Sequence, residues 1–249
     1  MNSQDKLIVS RAQDILEQSE KNYSALALGF LNPYGAGLIR KNVRPAADMR
    51  CEFYGGYDEA ERRLFVCYPE YAPVDYDELI SVLEIRGRDI EALDHRDYLG
   101  SLMGLGIKRE NIGDIIPLED KCYVFLKPQI AEYVKLNLTR IGRHGVKLSV
   151  VSASEVTVPP KKTKRISATV SALRLDCVVA AALGVSRSKA ADLIKADAVQ
   201  LNFEPTDSVS KLLDGGDIIS VRKYGRFRLS EIGGTTRKGR QSVIIEKFI

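Results

Sequence analysis

The sequence has few cysteines and histidines and no long apolar runs. Its 249 residues include four cysteines and only two histidines. The cysteines are widely spaced and form no C-x-x-C pair, which argues against a zinc site. The longest apolar stretches, such as residues 177–183, are far shorter than the roughly 20 residues that a membrane span requires. We therefore expect no metal, no cofactor and no membrane span.

The chain also begins without the apolar segment of a signal peptide, since residues 1–6 read M-N-S-Q-D-K. This start predicts a cytoplasmic protein with reduced cysteines. Cys51 and Cys67 lie on either side of a predicted hairpin turn near residues 58–59, so they could face each other across two strands. A disulfide between them is conceivable but disfavoured in a reducing cytosol.

Positive charge is concentrated in the last third of the chain. Residues 160–249 hold 17 lysines and arginines against 9 aspartates and glutamates, whereas residues 1–159 hold 20 against 24. A basic segment of this kind points to a polyanionic partner, although solubility alone could account for part of the excess.

Prolines and lysines mark a boundary near residue 160, where V-P-P-K-K-T-K-R blocks regular structure and the lysines repel one another. We interpret residues 156–166 as a basic linker. It separates an N-terminal α/β domain (1–75) and a middle domain (76–155) from a C-terminal domain (167–249). The predicted fold class is α+β.

In the first domain, apolar residues recur at the spacing of a helix over residues 4–20, which predicts a helix there. A second helix is predicted to begin after Lys21 and to be stopped by Leu31-Asn32-Pro33. Residues 50–54 and 62–68 are rich in Phe, Tyr, Val and Cys, and the intervening glycines predict a hairpin.

The middle domain shows the order strand, helix, strand, strand, helix, strand. This β-α-β-β-α-β unit is typical of ferredoxin-like and RNA-recognition folds. The predicted elements span residues 80–85, 94–105, 111–116, 121–127, 129–141 and 146–151.

Some residues of the middle domain are candidates for a second RNA contact. Alternation along the strand at 121–127 places Tyr123 and Phe125 on an open sheet face, where aromatic rings could stack on bases. A neighbouring domain could equally cover that face. His95 and Arg96 follow the predicted helix cap Asp94, and a helix N-terminus can bind phosphate; the plain alternative is a hydrogen-bonded surface histidine. The complete candidate set is His95, Arg96, Lys108, Arg109, Tyr123 and Phe125.

The C-terminal domain carries the main predicted site. One short helix is closed by Gly184 and a second is capped by Ser186. Arg187 and Lys189 oppose the dipole of the second helix, which favours an external anion over a purely solvated charged face. Basic residues recur on what we expect to be one exposed surface. The predicted RNA-binding residues are Arg174, Ser186, Arg187, Lys189, Lys195, Arg222, Lys223, Arg226 and Arg228.

Four motifs here resemble the S-four RNA-binding domain, named after small-subunit ribosomal protein four. They are R-L-D at 174–176, S-R-S-x-A-x-x-L-I at 186–194, V-x-L-N at 199–202 and G-D-x-I-x-V-R-x-x-G-R at 216–226. The resemblance implies two short helices packed on a small sheet. The chain departs from the pattern at Asp197, where the family usually has glycine, but aspartate tolerates the left-handed conformation better than most residues.

Upstream motifs, joined to this domain, resemble the bacterial YlmH family. They are D-H-R-D-Y-L-G-S-L at 94–102, G-L-G-I-K-R at 104–109 and I-G-D-I at 112–115. The resemblance spans nearly the whole chain. It implies association with the large ribosomal subunit and peptidyl-tRNA in the rescue of stalled translation, with an older link to cell division by gene neighbourhood.

Two hypotheses for function follow, and a third concerns the first domain. The leading one is non-catalytic binding of structured ribosomal RNA or tRNA, with no catalytic residues. The rival is an RNA-modifying enzyme of the pseudouridine synthase or methyltransferase type, although no glycine-rich loop for S-adenosylmethionine and no P-loop is present. The loops at 33–37 and 55–57 could bind a protein, for which the sequence indicates no partner.

Overall fold

The computed structural model describes residues 3–160, 162–237 and 239–249, so Lys161 of the predicted linker lies outside it. The chain forms two compact units, residues 1–158 and 159–249. The boundary predicted between residues 75 and 76 stays a prediction. No helix in the described ranges combines the length and apolar composition needed to cross a membrane.

The first unit opens with a three-stranded antiparallel sheet covered by two helices. Its elements are α1 (Ser3–Asn22), β1 (Leu26–Leu31), α2 (Pro33–Asn42), β2 (Met49–Tyr54) and β3 (Arg63–Pro69). The strand order is β1-β3-β2. Phe65 and Cys67 of β3 pack beneath Val9 and Ala12 of α1 and Ile39 of α2.

The predicted second helix before Pro33 is wrong. Residues 26–31 form β1, and Pro33 begins α2 instead of stopping a helix. Proline suits the first helical position because its missing N–H has no partner there anyway. Asn32 caps the helix by accepting a hydrogen bond from the Gly35 amide at 2.8 Å.

A five-stranded antiparallel sheet follows, and it confirms the predicted β-α-β-β-α-β order. Its elements are β4 (Ser81–Gly87), α3 (His95–Gly104), β5 (Ile112–Pro117), β6 (Cys122–Leu126), α4 (Pro128–Asn137), β7 (Arg140–Ile141) and β8 (His144–Val151). The strand order is β5-β6-β4-β8-β7. Cys122, Val124 and Leu126 face the two helices, as alternation predicts, and pack with Leu102 and Val134.

The two sheets of the first unit pack face to face. Leu64 and Val66 of β3 share one apolar cluster with Tyr123 and Phe125 of β6. The approach is so close that a Cβ atom on Gly113 would lie 2.7 Å from the ring of Phe30. The unit therefore has four layers, helices, sheet, sheet and helices, and the sheet face that we expected to be open is its interior.

One carboxylate fastens the loop before β3 to the second sheet. Asp114 accepts hydrogen bonds from the Tyr57 hydroxyl at 2.7 Å and from the amides of Glu61 and Arg62 at 2.7 and 3.0 Å. The Arg62 guanidinium donates to the Phe30 carbonyl at 2.7 Å. Burial lowers the pKa of Arg62 to about 10, so it stays charged at neutral pH.

The second unit packs two helices on one face of a six-stranded sheet. Its elements are β9 (Thr163–Val170), α5 (Leu175–Leu183), α6 (Arg187–Lys195), β10 (Val199–Leu201), β11 (Glu204–Pro205), β12 (Ile218–Val221), β13 (Gly225–Thr235) and β14 (Gln241–Phe248). The strand order is β11-β10-β12-β13-β14-β9. Strand β9 thus begins within the predicted linker. The turn predicted at residues 204–206 lies instead at Asn202 and Phe203, which both have positive φ.

We predict that Asp114→Ala lowers the free energy of unfolding by about 2–3 kcal/mol, because three partly buried donors lose a charged acceptor. Urea denaturation measures this. Asp120→Ala is the control, since the ion pair of Asp120 with Arg86 is exposed and its loss should cost less than about 1 kcal/mol. Equal losses in the two variants would show that Asp114 does not fasten the loop.

Candidate RNA-binding surface

The two helices of the second unit bring the strongest predicted residues together. Helix α5 ends at Gly184, whose φ of 66° is the left-handed conformation that closes helices. Helix α6 then begins at its cap Ser186, which accepts a hydrogen bond from the Lys189 amide at 3.2 Å. Both ends occur where the sequence predicts them, and Asp197 after α6 adopts the left-handed conformation with φ of 52°.

A buried carboxylate at the start of α5 holds two of the predicted arginines. Asp176 is only 3% exposed. Arg174 donates to it through Nε at 3.0 Å and Nη2 at 3.3 Å. Arg187 of α6 donates through Nη2 at 2.7 Å and Nε at 3.2 Å. We call these three residues the arginine clamp.

The clamp keeps the carboxylate ionised. Burial acts to raise the pKa of Asp176, but the hydrogen bonds and charges of Arg187 and Arg174 outweigh it and leave the pKa below its usual range. The guanidinium side chains stay accessible, since Arg174 is 37% and Arg187 is 54% exposed. Arg187, which we expected to await an external anion, thus already has an internal one, and each arginine keeps its Nη1 group outside these four hydrogen bonds.

Further cations lie near the helices. Lys189 and Lys195 of α6 are exposed. Arg222 follows β12, and its Nη2 donates to the Asp197 carbonyl at 3.3 Å, which places it beside the end of α6. Lys223 lies in the turn after β12 with φ of 72°.

Arg226 and Arg228 do not share this surface, which corrects the expectation of one basic face. Phe227 and Leu229 of β13 point into the core under the helices, so the alternating Arg226 and Arg228 project from the opposite face. Arg226 lies over the ring of Phe203 at 4.9 Å. Arg228 is paired with Glu246 through Nε at 3.0 Å.

At the start of α3, where we predicted a phosphate site, the helix cap already occupies backbone amides that a phosphate would bind. Asp94 accepts hydrogen bonds from the amides of Arg96 and Asp97 at 2.7 and 3.2 Å, and Asp97 accepts one from the Asp94 amide. These amides are therefore already satisfied by carboxylates. The side chains of His95, Arg96 and Lys108 are exposed.

Arg109 is held more tightly than the other cations near α3. Its Nη1 donates to the carbonyls of Ile112 at 2.6 Å and Gly113 at 3.3 Å.

Tyr123 and Phe125 cannot stack on bases, and this part of the prediction is wrong. Their exposures are 4% and 0%. The rings of Phe125 and Tyr57 lie 5.2 Å apart within the first unit. Alternation correctly assigns both residues to the face away from the helices, but that face is covered by the three-stranded sheet.

Strands β13 and β14 form a long hairpin that the sequence did not predict, and they pair from Phe227↔Lys247 to Thr235↔Gln241. Gly233 and Gly234 break the apolar alternation that would have marked it. Exposed Arg237 and Arg240 lie near its turn. Within the described residues, no three His, Cys, Asp or Glu side chains form a group that could hold a metal ion.

The fold and this surface define a protein that carries an S-four RNA-binding domain and, earlier in the chain, an RNA-recognition-like domain. Residues 173–219 match the family model of the S4 domain, and residues 73–155 match the model described as an RNA-binding domain in YlmH.

One relative extends the match to nearly the whole chain. The ribosome-associated protein quality control protein P2 of Bacillus subtilis is 32% identical over 245 residues, which are 98% of this chain and 95% of the relative. The chain therefore belongs to the YlmH family. A solved structure, the cell division protein ylmH from Streptococcus pneumoniae, shares the fold with a TM-score of 0.54 and 21% identity, over 64% of this chain and 97% of that one.

We predict that Asp176→Asn lowers the free energy of unfolding by about 1–2 kcal/mol near neutral pH, because charged hydrogen bonds to both arginines are lost. The folded-state pKa of Asp176 is depressed, so its contribution is present above the unfolded value of about 3.9 and is lost as the pH falls through the folded value. Urea denaturation at several pH values should show the two proteins converging in acid. The exposed Asp192→Asn on α6 is the control, and a pH-independent difference for Asp176→Asn would contradict the ionised clamp.

Proposed function

We propose that this protein binds structured RNA on the large ribosomal subunit, either ribosomal RNA or tRNA, and acts there without catalysis in the quality control of stalled translation. The observation that carries the proposal is the arginine clamp, which presents Arg174 and Arg187 at the start of the two helices of an S-four domain. A cytoplasmic location accords with this role.

The clamp suits phosphate because its geometry is fixed before RNA arrives. Each guanidinium has five N–H donors. Arg174 and Arg187 both use their Nε and Nη2 groups to contact Asp176. The N–H groups of Nη1 therefore remain to meet phosphate oxygens. Side chains that are already ordered lose less conformational freedom on binding, so less binding energy is spent on ordering them.

The charge distribution and the similarity to a ribosome-associated relative both support RNA as the partner. The excess of lysine and arginine lies in residues 160–249, where both the clamp and Arg222 are found. The Bacillus subtilis relative is named as ribosome-associated and as a quality control protein. RNA recognition through phosphates and shape, without base stacking on Tyr123 and Phe125, agrees with the covered sheet of the first unit.

The first unit would contribute a smaller contact through α3. His95, Arg96 and Lys108 are exposed there, while Arg109 is bound to backbone carbonyls. The exposed Arg96 and Lys108 cations add affinity that depends on salt but carry little sequence information. We therefore assign docking to the helices of the second unit and an auxiliary role to α3.

We predict that Lys189→Gln combined with Lys195→Gln weakens binding to purified large ribosomal subunits. Each lost phosphate contact should reduce the slope of log affinity against log salt by about 0.7–0.9. Co-sedimentation across a salt series measures both effects. Lys6→Gln combined with Lys41→Gln removes the same charge from the first unit and is the matched control; unchanged binding by the α6 variant, or an equal loss in the control, contradicts the site.

The alternative of an RNA-modifying enzyme is tested separately. Ribosomal RNA and tRNA from cells with and without the gene should contain the same modified nucleosides by mass spectrometry, since the proposed surface offers docking groups and no assembled acid–base pair with a nucleophile. A nucleoside modification that disappears with the gene and returns with the intact chain would establish catalysis and overturn this part of the proposal.

A further inference from the structure

Two cysteines of the first unit lie directly opposite each other in neighbouring strands. Cys51 of β2 and Cys67 of β3 are register partners in an antiparallel pair. All four cysteines of the chain are free thiols. Cys122 and Cys177 belong to other apolar clusters, each without a second cysteine.

The hydrogen-bond pattern of the hairpin shows which kind of pair they form. The Glu70 amide donates to the Asp48 carbonyl at 2.9 Å, so Asp48 and Glu70 are a hydrogen-bonded pair. They lie next to the pair Met49↔Pro69, at the end of the β2–β3 ladder. Such pairs alternate with non-hydrogen-bonded ones along an antiparallel ladder. Three steps further, Cys51 and Cys67 therefore form a non-hydrogen-bonded pair.

That position fits a disulfide. Residues of a non-hydrogen-bonded pair have Cα atoms about 4.5 Å apart with their side chains close together, and disulfides span Cα distances of about 4.4–6.8 Å. The next pair of the same kind, Phe53 and Phe65, already has ring centroids only 5.3 Å apart. Little backbone movement is needed to join the two sulfurs.

The two thiols differ in access and acidity. Cys51 is half-buried, while Cys67 is fully buried beneath α1. Interaction with the neighbouring Cys67 thiol lowers the pKa of Cys51, whereas interaction with Cys51 and burial raise the pKa of Cys67. Cys51 is therefore the thiol that meets a soluble oxidant first, because the thiolate is the reacting form.

We propose that Cys51 and Cys67 are a thiol modification site that closes to a reversible disulfide when a hydroperoxide oxidises the protein. The Cys51 thiolate attacks the peroxide oxygen, the O–O bond breaks, and a sulfenic acid forms while the leaving oxygen takes up a proton. The Cys67 sulfur then attacks the Cys51 sulfur and releases water. Two thiols and one hydrogen peroxide thus give one disulfide and two waters.

The bond would tie together the loop of residues 52–66. This loop carries Tyr57, Glu61 and Arg62, which bind Asp114 of the second sheet. Closing it restricts the unfolded chain and the hairpin together. The proposal does not depend on RNA binding, so the two can fail independently.

The test uses the folded full-length chain treated with hydrogen peroxide, then unfolded and alkylated. We expect two of the four thiols to be lost to alkylation and to return after reduction with dithiothreitol. Trypsin cuts after Arg50, Arg62, Arg63 and Arg86, so each cysteine lies in its own peptide. Mass spectrometry should therefore find peptide 51–62 linked to peptide 64–86, with the loss of two hydrogen atoms.

Cys122 and Cys177 serve as internal controls and should stay fully alkylated. The linked pair should be absent from Cys51→Ser, a half-buried and conservative change, and from Cys67→Ser. Four alkylated thiols after oxidation, a disulfide between two chains through Cys51, or oxidation of Cys51 to the sulfinic acid without a linked peptide would each overturn the proposal.

Discussion

The carboxylate of Asp176 is the contact on which the basic surface depends. It lies buried at the first turn of α5 and accepts hydrogen bonds from Arg174 on its own segment and from Arg187 on the next helix. A buried charge without partners would be costly, so the helices and the two arginines are fixed together. The same ion network that stabilises α5 against α6 thus orients the guanidinium groups, and stability and recognition share one group.

A second constraint acts in the first unit, where two sheets bury their faces against each other. Strand β3 divides its side chains between two clusters, with Phe65 and Cys67 under the helices and Leu64 and Val66 against the second sheet. Because of this arrangement, the aromatic residues of β6 are part of the core and are not available for binding. It also accounts for Asp114, whose carboxylate satisfies backbone amides at the junction of the two sheets.

Local signals in the sequence predicted the elements well where caps and alternation agree. Ser186, Gly184 and the capping box of Asp94 and Asp97 occur as predicted, because each rests on contacts within a few residues. The misassigned helix before Pro33 shows the opposite case. Residues 26–31 are apolar without a clear period, and proline can either stop a helix or begin one, so only pairing with β3 decides that they form a strand.

By itself, the sequence determined the S-four motifs, the charge excess of the last third and the side of β6 that Tyr123 and Phe125 occupy, since these follow from residue order and a strand's period of two. Tertiary structure alone decided what covers that side of β6. It also decided that Arg226 and Arg228 project from the face of their sheet that the helices do not cover, and that Asp176 joins Arg174 to Arg187. The physical reason is the same throughout. Periodicity fixes where a side chain points, but its neighbours come from distant segments brought together by burial of apolar surface.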